Sequence, residues 1–226
     1  MDGIFRTVLA TSLHGSIVIL GVLLLRLVLQ KAPKKFLCLL WMLAGIRLLL
    51  PVPIESRFSL QPETVSVVLP AGWGSILTVI WLVLALAVGT YSVVAYIRLR
   101  RHVLDAVKIP GGWESDRIET AFVLGFVKPK IYIPTGMSRE TQRQILAHER
   151  THLDKGDHWI KMIGFLALAV HWFNPLVWVS YILLCKDIEM ACDERVVQFM
   201  ELEERKAYSA ALLSCSLITA DAPYLR

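Results

Sequence analysis

The sequence predicts a mainly α-helical protein that crosses a membrane several times, with a small α+β element outside the bilayer and a re-entrant helical hairpin. Three observations lead there. Of 226 residues, 55% are hydrophobic and only 19% are charged, where soluble domains sit nearer a quarter charged. The apolar residues are gathered into long runs, as helices in a hydrocarbon core require. One polar stretch, residues 98–157, interrupts those runs and is long enough to fold as an element of its own.

The runs come in order. Residues 4–29 give the first span, interrupted by His14 and Arg26; Arg26 can snorkel toward Lys31, Lys34 and Lys35. No basic n-region or small-x-small cleavage site marks this N-terminus, so it reads as a retained span. Residues 36–50, "FLCLLWMLAGIRLLL", form a shorter run stopped by Pro51 and Pro53, with Arg47 needing an interface. Residues 74–97 carry no charge and are followed at once by Arg98, Arg100 and Arg101. Residues 1–97 are thus expected to hold three transmembrane helices, and residues 98–226 a second region. The connection at 51–73 has only Arg57 against Glu55 and Glu63. The positive-inside rule then puts the first connection and the segment after Arg98 in the cytoplasm, with the N-terminus outside. The net charge of +5 is explained by these flanks and does not call for nucleic acid. The four cysteines have no CxxC spacing and read as reduced thiols.

Within the polar region, "RIETAFVLGFVKPKIYIP" has β-branched and aromatic runs on either side of Val127-Lys128-Pro129. That pattern predicts two short strands, or a strand and a turn. Ser138 is placed as an N-cap, with Glu140 in the first turn, so a helix should run from about 139 to 154. This helix carries "LAHERTH". Its histidines, His148 and His152, lie four apart, about 40° in helical projection, so both rings can reach one ion. Glu149 follows the first histidine, where a glutamate serves as base for a zinc-bound water. Read alone, five residues can also match by chance on a polar helix face.

Downstream, "DIEMACDERV" supplies Glu189 and Asp193, again four apart. Glu189 would complete a His₂Glu set with a fourth position open for water. Asp193 could accept the second ring N–H of a ligand histidine. The plainer alternative is an exposed acidic helix paired with Lys186 and Arg195.

The segments "AFVLGFVKPKIYIP", "ILAHERTHLDKGD", "HWFNPLVW" and "EMACDERV", in this order and spacing, resemble the BlaR/MecR-type membrane zinc metallopeptidases of bacteria. The resemblance implies zinc ligands at His148, His152 and Glu189, with Glu149 as catalytic base: a gluzincin-like His-Glu-x-x-His plus Glu-x-x-x-Asp pairing. It further implies a site facing the cytoplasm of a bacterial plasma membrane and a role in transmembrane signalling. The substrate would be a DNA-binding repressor or the chain itself. It also implies that a last span and a β-lactam sensor domain belong beyond Arg226. By the same resemblance, residues 121–134 form the edge that receives substrate as an added strand, with Gly125 and Phe126 in contact with it. A packing hairpin at the membrane surface is the alternative.

The ligand set constrains topology. Glu189 is separated from the histidines by the apolar run 158–185, and a single crossing would carry it across a core about 30 Å thick. The run is too short for two spans of about 20 residues each. Two half-length helices meeting at Asn174-Pro175 satisfy the constraint, because proline breaks a helix and the freed backbone groups can be buried in protein. Trp172, Phe173 and Trp178 would pack around the bend. Two rival functions share the motif: a prenyl-protein or quality-control membrane protease, and an idle receptor subunit that keeps the fold to transmit a signal. Expected partners are membrane lipid and a protein substrate, without direct nucleic-acid contact. The oligomeric state is left open, a homodimer being one arrangement.

Overall fold

In the computed structural model the chain is mainly helical, with one small sheet. The structure describes residues 2–29, 32–50, 73–198 and 200–220. The expectations for Lys31, Pro51, Pro53 and the 51–72 connection, with Glu55, Arg57 and Glu63, lie outside the described residues. Two compact units are present: Met1–Ser92 with Ile160–Ile188, and Val93–Trp159 with Glu189–Arg226.

The first unit is built on helices α1 (Asp2–Val28), α2 (Lys34–Leu49) and the first part of α3 (Trp73–His102). Gly3–Val28 and Trp73–His102 are long and apolar enough to cross a membrane. α2 has 16 residues, about 24 Å of helix, short of the roughly 30 Å core. α1 and α2 pack closely because Gly15 has no Cβ; one there would overlap the Leu48 side chain. Also in this unit are most of α5 (Asp157–Val170) and the first part of α6 (Pro175–Val197). They fold back on one another: Gly164 faces Tyr181 and Leu184, and Phe165 meets Tyr181 edge-on. Ile19, Trp41, Leu48, Leu168, Val177 and Leu184 form the common core.

The bend between α5 and α6 is explained by Asn174-Pro175. Asn174 Oδ1 accepts the Leu176 N–H at 2.9 Å, an N-cap followed by proline at the first helical position. Its amide also donates to Ser12 Oγ at 2.7 Å and Ser16 Oγ at 2.8 Å, so the cap is tied to α1. Trp172 and Phe173 pack edge-on, and Trp178 Nε1 donates to the Trp172 carbonyl at 2.7 Å. A second tie joins α1 to α6. Arg26 donates to both carboxylate oxygens of Asp187, at 3.1 and 2.9 Å, and Trp41 Nε1 donates to the same group at 2.8 Å. Arg26 therefore turns into the unit, to a carboxylate with no exposed surface.

In the second unit α3 continues through the arginines to His102, past the apolar limit at 97, since nothing in "RLRRH" stops a helix. A four-stranded sheet follows, in the order β1-β2-β4-β3. β3 (Phe122–Leu124) and β4 (Lys130–Pro134) are the antiparallel pair expected around Val127-Lys128-Pro129. β1 (Val107–Ile109) and β2 (Gly112–Ser115) were not expected: three and four residues are too few to show an alternation. Pairing decides them. β2 lies parallel to β4, with Trp113 opposite Tyr132, and β1 closes onto β2 through a turn with Gly111 at φ +92°.

Helix α4 (Arg139–Lys155) begins where Ser138 Oγ accepts the Thr141 N–H at 3.1 Å. It ends at Gly156, left-handed with φ +68°, whose N–H reaches the His152 and Leu153 carbonyls. Its buried stripe is Ile145, His148 and His152. Ile145 packs on Ile131 and Ile133 of β4. The face that seats the helix on the sheet therefore fixes where the histidines point.

Candidate metal centre

His148 and His152, one turn apart on α4, turn their Nε2 atoms toward each other at 3.1 Å. The first residues of α6 in this unit bring Glu189, whose Oε2 lies 3.2 Å from His152 Nε2 and 3.6 Å from His148 Nε2. Both histidine side chains are buried, and that of Glu189 is 46% exposed, so one side of the cluster is open to water.

The outer ring nitrogens settle the tautomers. His152 Nδ1 lies 2.6 Å from Asp157 Oδ2, a carboxylate that can only accept. His148 Nδ1 lies 2.6 Å from the Tyr208 hydroxyl, whose one proton goes to Asp193 Oδ1 at 2.8 Å. Each Nδ1 therefore donates, and each Nε2 is left with its lone pair facing inward. Two imidazole lone pairs and a carboxylate oxygen thus converge within 3.1–3.6 Å, an arrangement that needs a cation at its centre. Protons can serve. So can a metal: tetrahedral bonds of about 2.0–2.1 Å place ligand atoms about 3.3 Å apart.

The electrostatics agree with that demand. Burial disfavours the charged form of His148, but its bonds to Asp193, Cys192 and Glu189 outweigh burial and raise its pKa. Burial likewise opposes His152 protonation, yet Asp157, with Cys192 and Glu189, pushes its pKa up to about 11. Asp193 is held below the usual carboxylate range: burial pulls it upward, but His148 and Tyr208 prevail. Burial raises the Tyr208 hydroxyl, keeping it a donor.

A second donor set overlaps the first. His148, His152 and Cys192 place possible ligand atoms within 4.8 Å of one another and could hold a metal. Cys192 approaches from the outer side, 3.8 Å from His148 Nδ1, and its thiol donates to the His148 carbonyl at 3.5 Å. Cys192 also bonds His152, so the two donor sets share both histidines and differ in Glu189 or Cys192 as the third group.

The structure brings His148, His152, Glu189 and Asp193 together. Glu149 is half-buried on the same helix, next to His148. Gly125 and Phe126 are not in this cluster. Gly125 holds the β3–β4 turn at φ +112°, where a Cβ would come within 3.0 Å of the Lys128 carbonyl, and Phe126 stacks on Tyr96 of α3. Outside the cluster, His171 donates from Nε2 to the Leu48 carbonyl, and His14 and His102 bond within their own helices.

Three partners escaped sequence reasoning. Asp157 is five residues past His152, just after the Gly156 cap, a local signal that could have been read. Cys192 stands inside the quoted "EMACDERV" without a spacing rule to single it out. Tyr208 is 60 positions from His148, and nothing local marks it. It sits on α7 (Leu202–Ala220), which packs on α4.

Comparison with known proteins is consistent with this geometry. Residues 113–224 match the family described as BlaR1 peptidase M56. The chain is 28% identical over 108 residues to the methicillin resistance mecR1 protein of Staphylococcus aureus, and equally to that of Staphylococcus epidermidis. It is 27% identical over 107 residues to the regulatory protein BlaR1 of Bacillus licheniformis. Each match covers 46% of this chain and 18% of the relative, so the chain corresponds to about a fifth of those proteins. Position, order and similarity of the matched segment all agree: residues 113–224 are a BlaR1/MecR1-type peptidase M56 family domain.

Proposed function

We propose that the chain is a membrane-embedded zinc metalloendopeptidase that hydrolyses a protein substrate during transmembrane signalling. The observation that carries this reading is the convergence of His148 Nε2, His152 Nε2 and Glu189 Oε2 at 3.1–3.6 Å, with Glu149 following His148 on the same helix. Zinc bound there would acidify a water molecule to a pKa of about 7 and polarise the scissile carbonyl. Glu149 takes the proton from the attacking water and delivers it to the leaving amine. His148 is oriented by Tyr208 and Asp193, and His152 by Asp157, so both rings keep the tautomer that a metal requires. Substrate lies as an added strand along the free edge of β3, with Gly125 and Phe126 closing the turn at its end.

α1 and α3 cross the bacterial plasma membrane. The arginines at 98, 100 and 101 put the peptidase region on the cytoplasmic side. The α5–α6 hairpin, within residues 158–185, dips into the bilayer and returns Glu189 to the side it left. The relatives' names, methicillin resistance and regulatory protein, support a role in a β-lactam-type response. In that setting the substrate is a transcriptional repressor or the chain itself.

Metal content and cleavage, measured together, test this. Purified chain is incubated with zinc and the repressor from its own operon, and fragments are read by intact mass. Glu149→Ala should lower cleavage about 10²–10⁴-fold, the range for loss of a general base, and keep about one zinc per chain, as the three ligands are untouched. Zinc loss in this variant would move Glu149 into the ligand set. A wild-type chain that cuts neither protein, and is unchanged by losing Glu149, would be the idle receptor.

A further inference from the structure

The geometry points to the tip of the β3–β4 hairpin and the last turns of α3 as a docking surface for anionic phospholipid headgroups. This goes beyond the peptidase reading and rests on one part of it, that α3 crosses the membrane. α3 bears no charge from 74 to 97, about 36 Å of helix, enough to traverse the roughly 30 Å hydrocarbon core. Tyr96 thus stands at the end of the span, at the level where aromatic side chains gather. Phe126, in the hairpin turn, stacks on Tyr96 with centroids 5.5 Å apart and rings inclined by 27°. The hairpin tip is thereby held at the membrane interface.

What the tip presents suits that depth. Val127 is 86% exposed, and Phe126 and Trp159 remain 42% and 43% exposed, with Phe126 tilted against Trp159 at 6.3 Å. Behind the apolar tip lies a groove of about 400 Å³ lined by Arg100, Lys128 and Lys130 together with Tyr96 and Tyr132. Among the described residues no acidic side chain lines it. Lys130 Nζ rests 4.2 Å over the Trp113 ring. An apolar point flanked by three cations matches an anionic leaflet: side chains enter the acyl boundary while the cations meet phosphates. The consequence for the site is mechanical. The sheet that carries this tip also seats α4, through Ile131, Ile133 and Ile145, so lipid docking would hold the His148–His152 helix beside the bilayer.

The test uses the full chain, with Cys38, Cys185, Cys192 and Cys215 replaced and a single environment-sensitive fluorophore at Val127→Cys. It is reconstituted in vesicles of phosphatidylcholine alone and of phosphatidylcholine with phosphatidylglycerol. A label at Asp116→Cys, on an exposed loop, is the water-facing reference. In the phosphatidylglycerol vesicles the label at 127 should be blue-shifted, quenched by lipids with nitroxides near the headgroup, and protected from aqueous iodide. Lys128→Glu with Lys130→Glu should lower the docked population by at least about fivefold for each lysine, and added salt should act in the same direction. Equal iodide quenching at 127 and 116 would overturn the inference. So would protection indifferent to phosphatidylglycerol and to both charge reversals. Protection that arises only when a protein substrate is added would assign the surface to a polypeptide instead.

Discussion

Removing the Tyr208 hydroxyl should weaken metal binding by a calculable amount. Tyr208 is 2% exposed and its oxygen stands between His148 Nδ1, at 2.6 Å, and Asp193 Oδ1, at 2.8 Å. Tyr208→Phe deletes the bridge and leaves the ring in place. Loss of an outer partner of a metal-bound histidine typically costs about 10–100-fold in affinity. The lower end applies here, about tenfold, because Asp193 Oδ1 already lies 3.4 Å from Nδ1 and its side chain is 45% exposed, free to close the gap. Asp193→Ala alone should cost a similar amount, since Tyr208 can still accept from Nδ1. The double variant leaves a buried N–H with no partner, a further penalty of about 1–3 kcal/mol. The two changes should therefore be more than additive, beyond the roughly 100-fold that two independent tenfold losses would give. Competition for zinc against a chromogenic chelator, on the detergent-solubilised chain, measures all four proteins of the cycle. Wild-type affinity in Tyr208→Phe, or strict additivity in the double variant, would refute the bridge.

Three further predictions concern the metal, the first unit and the path of the chain. Both histidines are raised above their ordinary pKa, His152 to about 11, by their acidic neighbours, and their Nε2 atoms, 3.1 Å apart, can share a proton that zinc must displace. Affinity should rise with pH, and calorimetry in buffers of different ionisation enthalpy should show proton release; zero release would contradict the upward shift of the histidines. Arg26→Ala leaves the fully buried Asp187 carboxylate, among the described residues, with the Trp41 indole as its partner. Breaking a buried pair costs about 3–5 kcal/mol, here near 3 because Arg26 is 25% exposed; thermal unfolding in detergent at the wild-type temperature would count against the network. Single cysteines at the exposed positions 154 and 186 should both resist an impermeant outside reagent in intact cells and react after permeabilisation. Labelling of 186 from outside would mean a true crossing between the histidines and Glu189.

The sequence by itself determined what depends on near neighbours along the chain. Ser138 and Gly156 bracket α4, and the four-residue spacing puts His148 and His152 on one face, because capping and helical periodicity are local. Asn174-Pro175 marks the bend between α5 and α6 for the same reason: the amide cap and the missing N–H act within one turn. The long apolar runs of α1 and α3 follow from composition alone. Tertiary structure decided the rest. β1 and β2 are too short to carry a period and exist through their pairing with each other and with β4. Arg26 could be read only as a snorkelling residue, since its real partner, Asp187, is 161 positions away. Tyr208 could not be read at all; only the packing of α7 on α4 brings its hydroxyl to His148. Each of these depends on a hydrogen bond or strand register between distant segments, and spacing along a chain holds no record of such contacts.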